Sequence, residues 1–168
     1  MDREEQLIQL KKDFRLLERN VLLLIAVPLS FFAFAYLYSS SDTLSFDLPV
    51  LPQALNYLGL SLVGLLLVMQ QFGFEGRIKV VKKSNSDLHQ RVKSYARATF
   101  LRYWQLFWVG IISALGLFFY DNPGFTVGYA LTLVFVSLGK PTPHRIVTVL
   151  QLKKADKDLV YQINKRDE

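Results

Sequence analysis

Cysteine is absent from the 168-residue chain. That absence excludes thiolate catalysis, cysteine-held iron–sulfur clusters, disulfides and lipid attachment through a thiol. Histidine is nearly absent. Neither His89 nor His144 has a second His, Asp or Glu three or four residues away, the spacing that a helical metal site uses. A phosphate-cradling glycine loop, a nucleophile elbow and a dinucleotide fingerprint are also missing. The nearest candidate, Gly73-Phe74-Glu75-Gly76, has no helix signature after it and reads as the flexible exit of a span. The expectation is a chain without catalytic residues, cofactor or metal.

Charge is the other scarcity. Asp, Glu, Lys and Arg make up 20% of the chain, below the roughly 25% of an average soluble domain. The deficit is concentrated in four runs without any charge, 20–41, 48–74, 103–120 and 122–139, which hold 85 of the 168 residues. Crossing a hydrocarbon core takes about 20 apolar residues as a helix, with a lower limit near 17. Lipid offers no hydrogen bonds, so each run must satisfy its backbone internally, as a helix does. The expected fold is all-α: a polytopic membrane protein with four transmembrane helices, about 21–38, 52–74, 102–120 and 123–139, in an antiparallel bundle with short cytoplasmic helices.

The 20 basic residues fall into three of the five segments outside these runs. Five precede the first run, eight lie between the second and third, and seven follow the fourth; the two remaining connections hold none. Basic residues near spans stay on the cytoplasmic side during insertion. Both termini and the 75–99 connection are therefore expected in the cytoplasm, and the membrane is expected to be a bacterial inner membrane. The outer turns carry only Asp42, Asp47 and Asp121. The net charge of +6 is then a topology signal, and nucleic acid is not an expected partner, since no clustered basic face on a matching fold is visible. Ala33-Phe34-Ala35 resembles a signal-peptide cleavage site, but the mixed charge of the preceding 19 residues favours a retained span.

Within lipid, contact faces are sought where small residues let backbones approach. Gly124, Gly128 and Thr132, Gly110 and Ala114, Ala26 and Ser30, and Gly59 form that set, read as packing inside one bundle, with a homodimer interface as the other reading. Pro28 predicts a bend in the first span. Asp121-Asn122-Pro123-Gly124 predicts a tight hairpin between spans three and four. Aromatic residues at span ends, among them Tyr36, Tyr38, Tyr103, Trp104, Phe107 and Trp108, read as interfacial belts.

Outside the spans, Leu7, Leu10, Phe14 and Leu17 form one stripe of an amphipathic helix over 1–19 that runs into the first span. The stripe is expected to dock a partner, with the membrane surface and the chain's own cytoplasmic parts as the other candidate covers. Residues 84–87 read as a helix start, with Ser84 and Asp87 in an approximate capping box. Arg77, Lys79, Lys82, Lys83, Arg91, Lys93, Arg97 and Arg102 are expected to meet anionic headgroups, at about 1 kcal/mol each. In the 141–168 tail, Thr142 and Pro143 suit a helix start, although alternation at Val147, Val149 and Gln151 leaves a strand open.

These features point to a non-enzymatic membrane protein, an accessory or assembly subunit that binds a membrane or cytoplasmic protein through its cytoplasmic helices. The alternative is a small oligomeric channel or transporter for a neutral or small solute.

Overall fold

The computed structural model describes residues 3–41, 46, 48–83 and 87–163. Among them are six helices and no strand: α1 (Arg3–Ser39), α2 (Gln53–Lys83), α3 (Leu88–Tyr120), α4 (Pro123–Gly139), α5 (Pro143–Leu150) and α6 (Lys154–Gln162). Three of them, α1, α2 and α3, are long and apolar enough to cross a membrane, and α4 is a shorter apolar helix of 17 residues. The tail that left strand open is helical at Val147 and Val149.

The N-terminal amphipathic segment and the first apolar run are one helix of 37 residues, about 55 Å long at 1.5 Å per residue. Leu10, Phe14, Leu17 and Val21 are buried, and the seam continues through Pro28, Phe32 and Ala35. Steps of three, four and seven residues keep one face turned toward a neighbouring helix. That neighbour is α3, which also packs against α2, α4 and α5. Helix α1 continues through Pro28, whose ring lies where Gly110 leaves room. A Cβ at position 110 would stand 2.6 Å from the proline Cβ.

Local chemistry sets the helix ends. Asp87 caps α3, accepting from the Leu88 N–H at 3.2 Å; Ser84, its expected capping-box partner, lies outside the described residues, as do Asp42 and Asp47. At the other end Asp121 takes a left-handed conformation, φ 48°, which Asp tolerates better than most residues. Asn122 then caps α4, accepting from the Gly124 N–H at 2.8 Å, and Pro123 takes the first turn. The same end is laced across helices. Ser39 donates to Asp121, Tyr120 donates to the Pro52 carbonyl at 3.0 Å, and Asn122 donates to Asn56 at 3.1 Å. Beyond α4, Thr142 accepts from the Arg145 N–H at 3.2 Å and starts α5, with Pro143 at its first position.

Two apolar cores result. In the apolar half, Phe125 is the wedge: its ring fills the space opposite Gly116, where a Cβ would lie 2.3 Å away, and touches Gly59 on α2. Phe32 of α1 stacks on Tyr129 of α4 with centroids 3.9 Å apart. At the basic end, Leu10 and Phe14 of α1, Ile78 of α2, Val92 and Tyr95 of α3, Ile146 and Leu150 of α5 and Val160 of α6 form a second core, hereafter the end cap. Leu17, Val21 and Tyr103 bridge the two.

Candidate functional site

The shoulder where the apolar half meets the end cap holds the chain's least ordinary chemistry. Arg102, about four turns into α3 and on its buried face, is only 5% exposed. Its Nε donates to Oε1 of Gln70 at 2.7 Å, and its Nη2 lies 3.5 Å from Oε1 of Gln71. The guanidinium carbon sits 5.1 Å from the centre of the Phe74 ring, a cation–π distance. It also lies beside Gly139, the last residue of α4, where the helix dipole favours positive charge. Tyr103 donates to the Val136 carbonyl of α4 at 2.9 Å. The Gln70 amide nitrogen is buried without a hydrogen-bond partner among the described residues, and the Tyr95 and Thr99 hydroxyls, one turn apart on α3, are buried against each other. The shoulder thus ties α2, α3 and α4 through one desolvated cation and amide acceptors.

Arg102 had been expected at the membrane edge with its charge reaching outward to headgroups. It turns inward instead, because Gln70, 32 residues away in sequence, offers an acceptor on the facing helix. Arg91 is likewise half-buried, donating from Nη2 to the Leu150 carbonyl at 2.7 Å and so satisfying the end of α5. Arg77, Lys79, Lys82, Lys93 and Arg97 are exposed; the side chain of Lys83 is outside the described residues.

Beside the shoulder, α1 and α3 border an apolar groove of about 330 Å³. Phe14, Leu17, Ala96, Phe100 and Leu101 line it, with Lys93 and Arg97 on the α3 wall and Asp13 on the α1 wall.

The residues expected to dock a partner are placed differently from that expectation. Leu10, Phe14 and Leu17 are buried against α3 and the end cap, and Leu7 packs on the same core. The chain's own helices cover the stripe, and the outward face of α1 instead carries Ile8, Lys12, Arg15 and Arg19. Of the small residues, Gly59, Gly110, Gly124 and Gly128 each face a side chain of another helix, and Ala114 and Thr132 are buried. Ala26 and Ser30 do not share in this packing. Both are exposed, and the Ser30 hydroxyl donates to the Ala26 carbonyl one turn back. Gly116 and Gly139 are close-approach positions that sequence reading missed, since no periodic spacing marks them. Asn56 is buried and accepts from the Asn122 amide. His89 lies 4.0 Å from Asp13 and His144 3.0 Å from the Tyr161 hydroxyl, on different helices.

No family model, curated protein or solved structure matches this chain.

Proposed function

We propose that this chain is a four-span, non-enzymatic protein of a bacterial inner membrane, with α1 to α4 as the spans and both termini and the end cap in the cytoplasm, serving as an accessory or assembly subunit for a protein partner. The distribution of basic residues supports the orientation, and 17 residues in α4 reach the lower limit for a span. The observation that carries the functional reading is the end cap. Helices α1, α2 and α3 run unbroken from the apolar half into a core of their own with α5 and α6. A surface on that cap is therefore held rigidly to the membrane anchor, with Ile8 at 66% and Val80 at 71% exposure beside exposed cations. Exposed apolar groups ringed by charge suit a protein surface with acidic groups.

Among the described residues, the close packing of α1 to α4 around Phe32, Val63, Val109 and Phe125 weighs against a route through one chain. The cavity among Leu24, Pro28, Tyr103, Tyr129 and Thr132 measures about 10 Å³, barely room for one water. A channel would have to form between chains, and the outward Ala26 and Ser30 are the observation that favours this second reading.

Photo-crosslinking separates the two. A photoreactive residue at position 8 or 80 is expected to trap one protein of defined mass in intact cells, whereas positions 31 and 65 on the lipid-facing sides trap lipid only. No protein adduct from the cap, together with self-adducts from positions 26 and 30, would replace the accessory reading by the oligomeric channel.

A further inference from the structure

We infer that the groove between α1 and α3 is a binding site for an anionic phospholipid of the leaflet at the basic end. The inference rests on the four-span placement proposed above only for the depth of the groove. If the third span begins near Arg102, then Arg97, five residues earlier, stands about 8 Å outside the hydrocarbon, within the headgroup zone. Lys93 is one turn further out, on a side chain long enough to reach back.

At that depth a surface ordinarily presents polar groups to water and headgroups. Here the walls are Phe14, Leu17, Ala96, Phe100 and Leu101, with Phe100 still 36% and Leu101 40% exposed. The apolar wall continues toward the membrane centre without a break. Phe100 stacks on Trp104 with centroids 6.4 Å apart, and Trp104 is itself 43% exposed. A ligand that fits must therefore be apolar along Phe100 and Trp104 and carry negative charge where Arg97 and Lys93 stand. A phospholipid with a net negative headgroup has that polarity: acyl chains on the aromatic wall, glycerol and upper chain in the groove, phosphate at the two cations. Asp13 lies on the opposite wall beside His89, so the anion is drawn to the α3 side. The volume of about 330 Å³ holds part of a lipid, the remainder lying in the bilayer.

The test is native mass spectrometry of the full chain released from vesicles of phosphatidylglycerol and phosphatidylethanolamine in equal parts. The chain is expected to retain one phosphatidylglycerol in preference to phosphatidylethanolamine. Lys93→Gln with Arg97→Gln should weaken retention about 30-fold, since each cation near anionic lipid contributes about fivefold. Ala96→Trp, which fills the groove and leaves the charges in place, should abolish it. Arg97→Lys should keep it and shows that position 97 tolerates exchange. Arg77→Gln with Lys79→Gln, the same loss of charge on α2, should also keep it. Equal retention of both lipids, retention by Ala96→Trp, or equal loss from the α2 variant would overturn the inference. Because reconstitution does not depend on orientation in the cell, an error in the proposed cytoplasmic orientation or in the partner reading would leave these outcomes unchanged.

Discussion

Taking a guanidinium out of water costs several kcal/mol unless acceptors replace the lost hydration, and at Arg102 the replacements are two glutamine carbonyls, a phenyl face and the end of α4. Such an arrangement contributes register more than raw stability, because a well-packed apolar pair would serve as well or better. Gln70→Leu removes the nearer acceptor and strands the charge, so a loss of about 3–5 kcal/mol is expected. Gln70→Leu combined with Arg102→Met removes charge and acceptor together and should recover most of that loss. Thermal unfolding in detergent of the two single variants and the double variant measures the coupling. Additive losses would mean that Gln70 does not hold the cation. Single-sequence reading placed Arg102 at the membrane edge because a long basic side chain there ordinarily snorkels outward. Whether it turns inward depends on what the facing helix offers, and nothing local to position 102 encodes Gln70. The small residues repeat the lesson. Gly110 and Gly128 were legible as close-approach positions by spacing, whereas Gly116 is decided by one phenylalanine on another helix.

Helix ends were the most legible elements, because their causes are local. Asn122 with Pro123, and Thr142 with Pro143, supply a cap and a preset first turn within two residues. The α1 stripe was equally legible as a stripe, since its steps of three and four repeat from Leu7 to Val21. What covers it was not. Periodicity reports that a face is apolar and is silent on whether lipid, a partner or α5 lies against it. The outcome changes what a substitution on that face does. Leu10 is 1% exposed in the end cap, so Leu10→Asp would bury an unpaired charge and destabilise the cap by on the order of 3 kcal/mol or more. Limited proteolysis should then cut α5 and α6 readily, while membrane fractionation is unchanged because the apolar runs are intact. Ile8→Asp, on the outward face of the same helix, should leave the proteolysis pattern as it was. Protection of α5 and α6 in Leu10→Asp would show that the cap does not depend on α1.

At the scale of the whole molecule the two ends are built by opposite means. One end is closed by short-range polar lacing among Ser39, Asn56, Tyr120, Asp121 and Asn122. The other is closed by an apolar cap that carries the exposed cations Arg77, Lys79, Lys82, Lys93 and Arg97. Insertion retains such cations on the cytoplasmic side, so the two ends should differ in access from outside the cell. The absence of cysteine makes that difference directly measurable, since each introduced thiol is the chain's only one. Ser40→Cys and Asp121→Cys, both at exposed positions of the laced end, are expected to react with a membrane-impermeant maleimide on intact cells. Lys79→Cys and Lys157→Cys, exposed on the cap, should react only after permeabilisation. Reaction of all four on intact cells would remove the orientation proposed for the cap, and with it the cytoplasmic setting of any partner. Labelling of position 121 but not of position 40 would contradict the packing that joins Ser39 to Asp121 at one end, and the four-span count would fall with it.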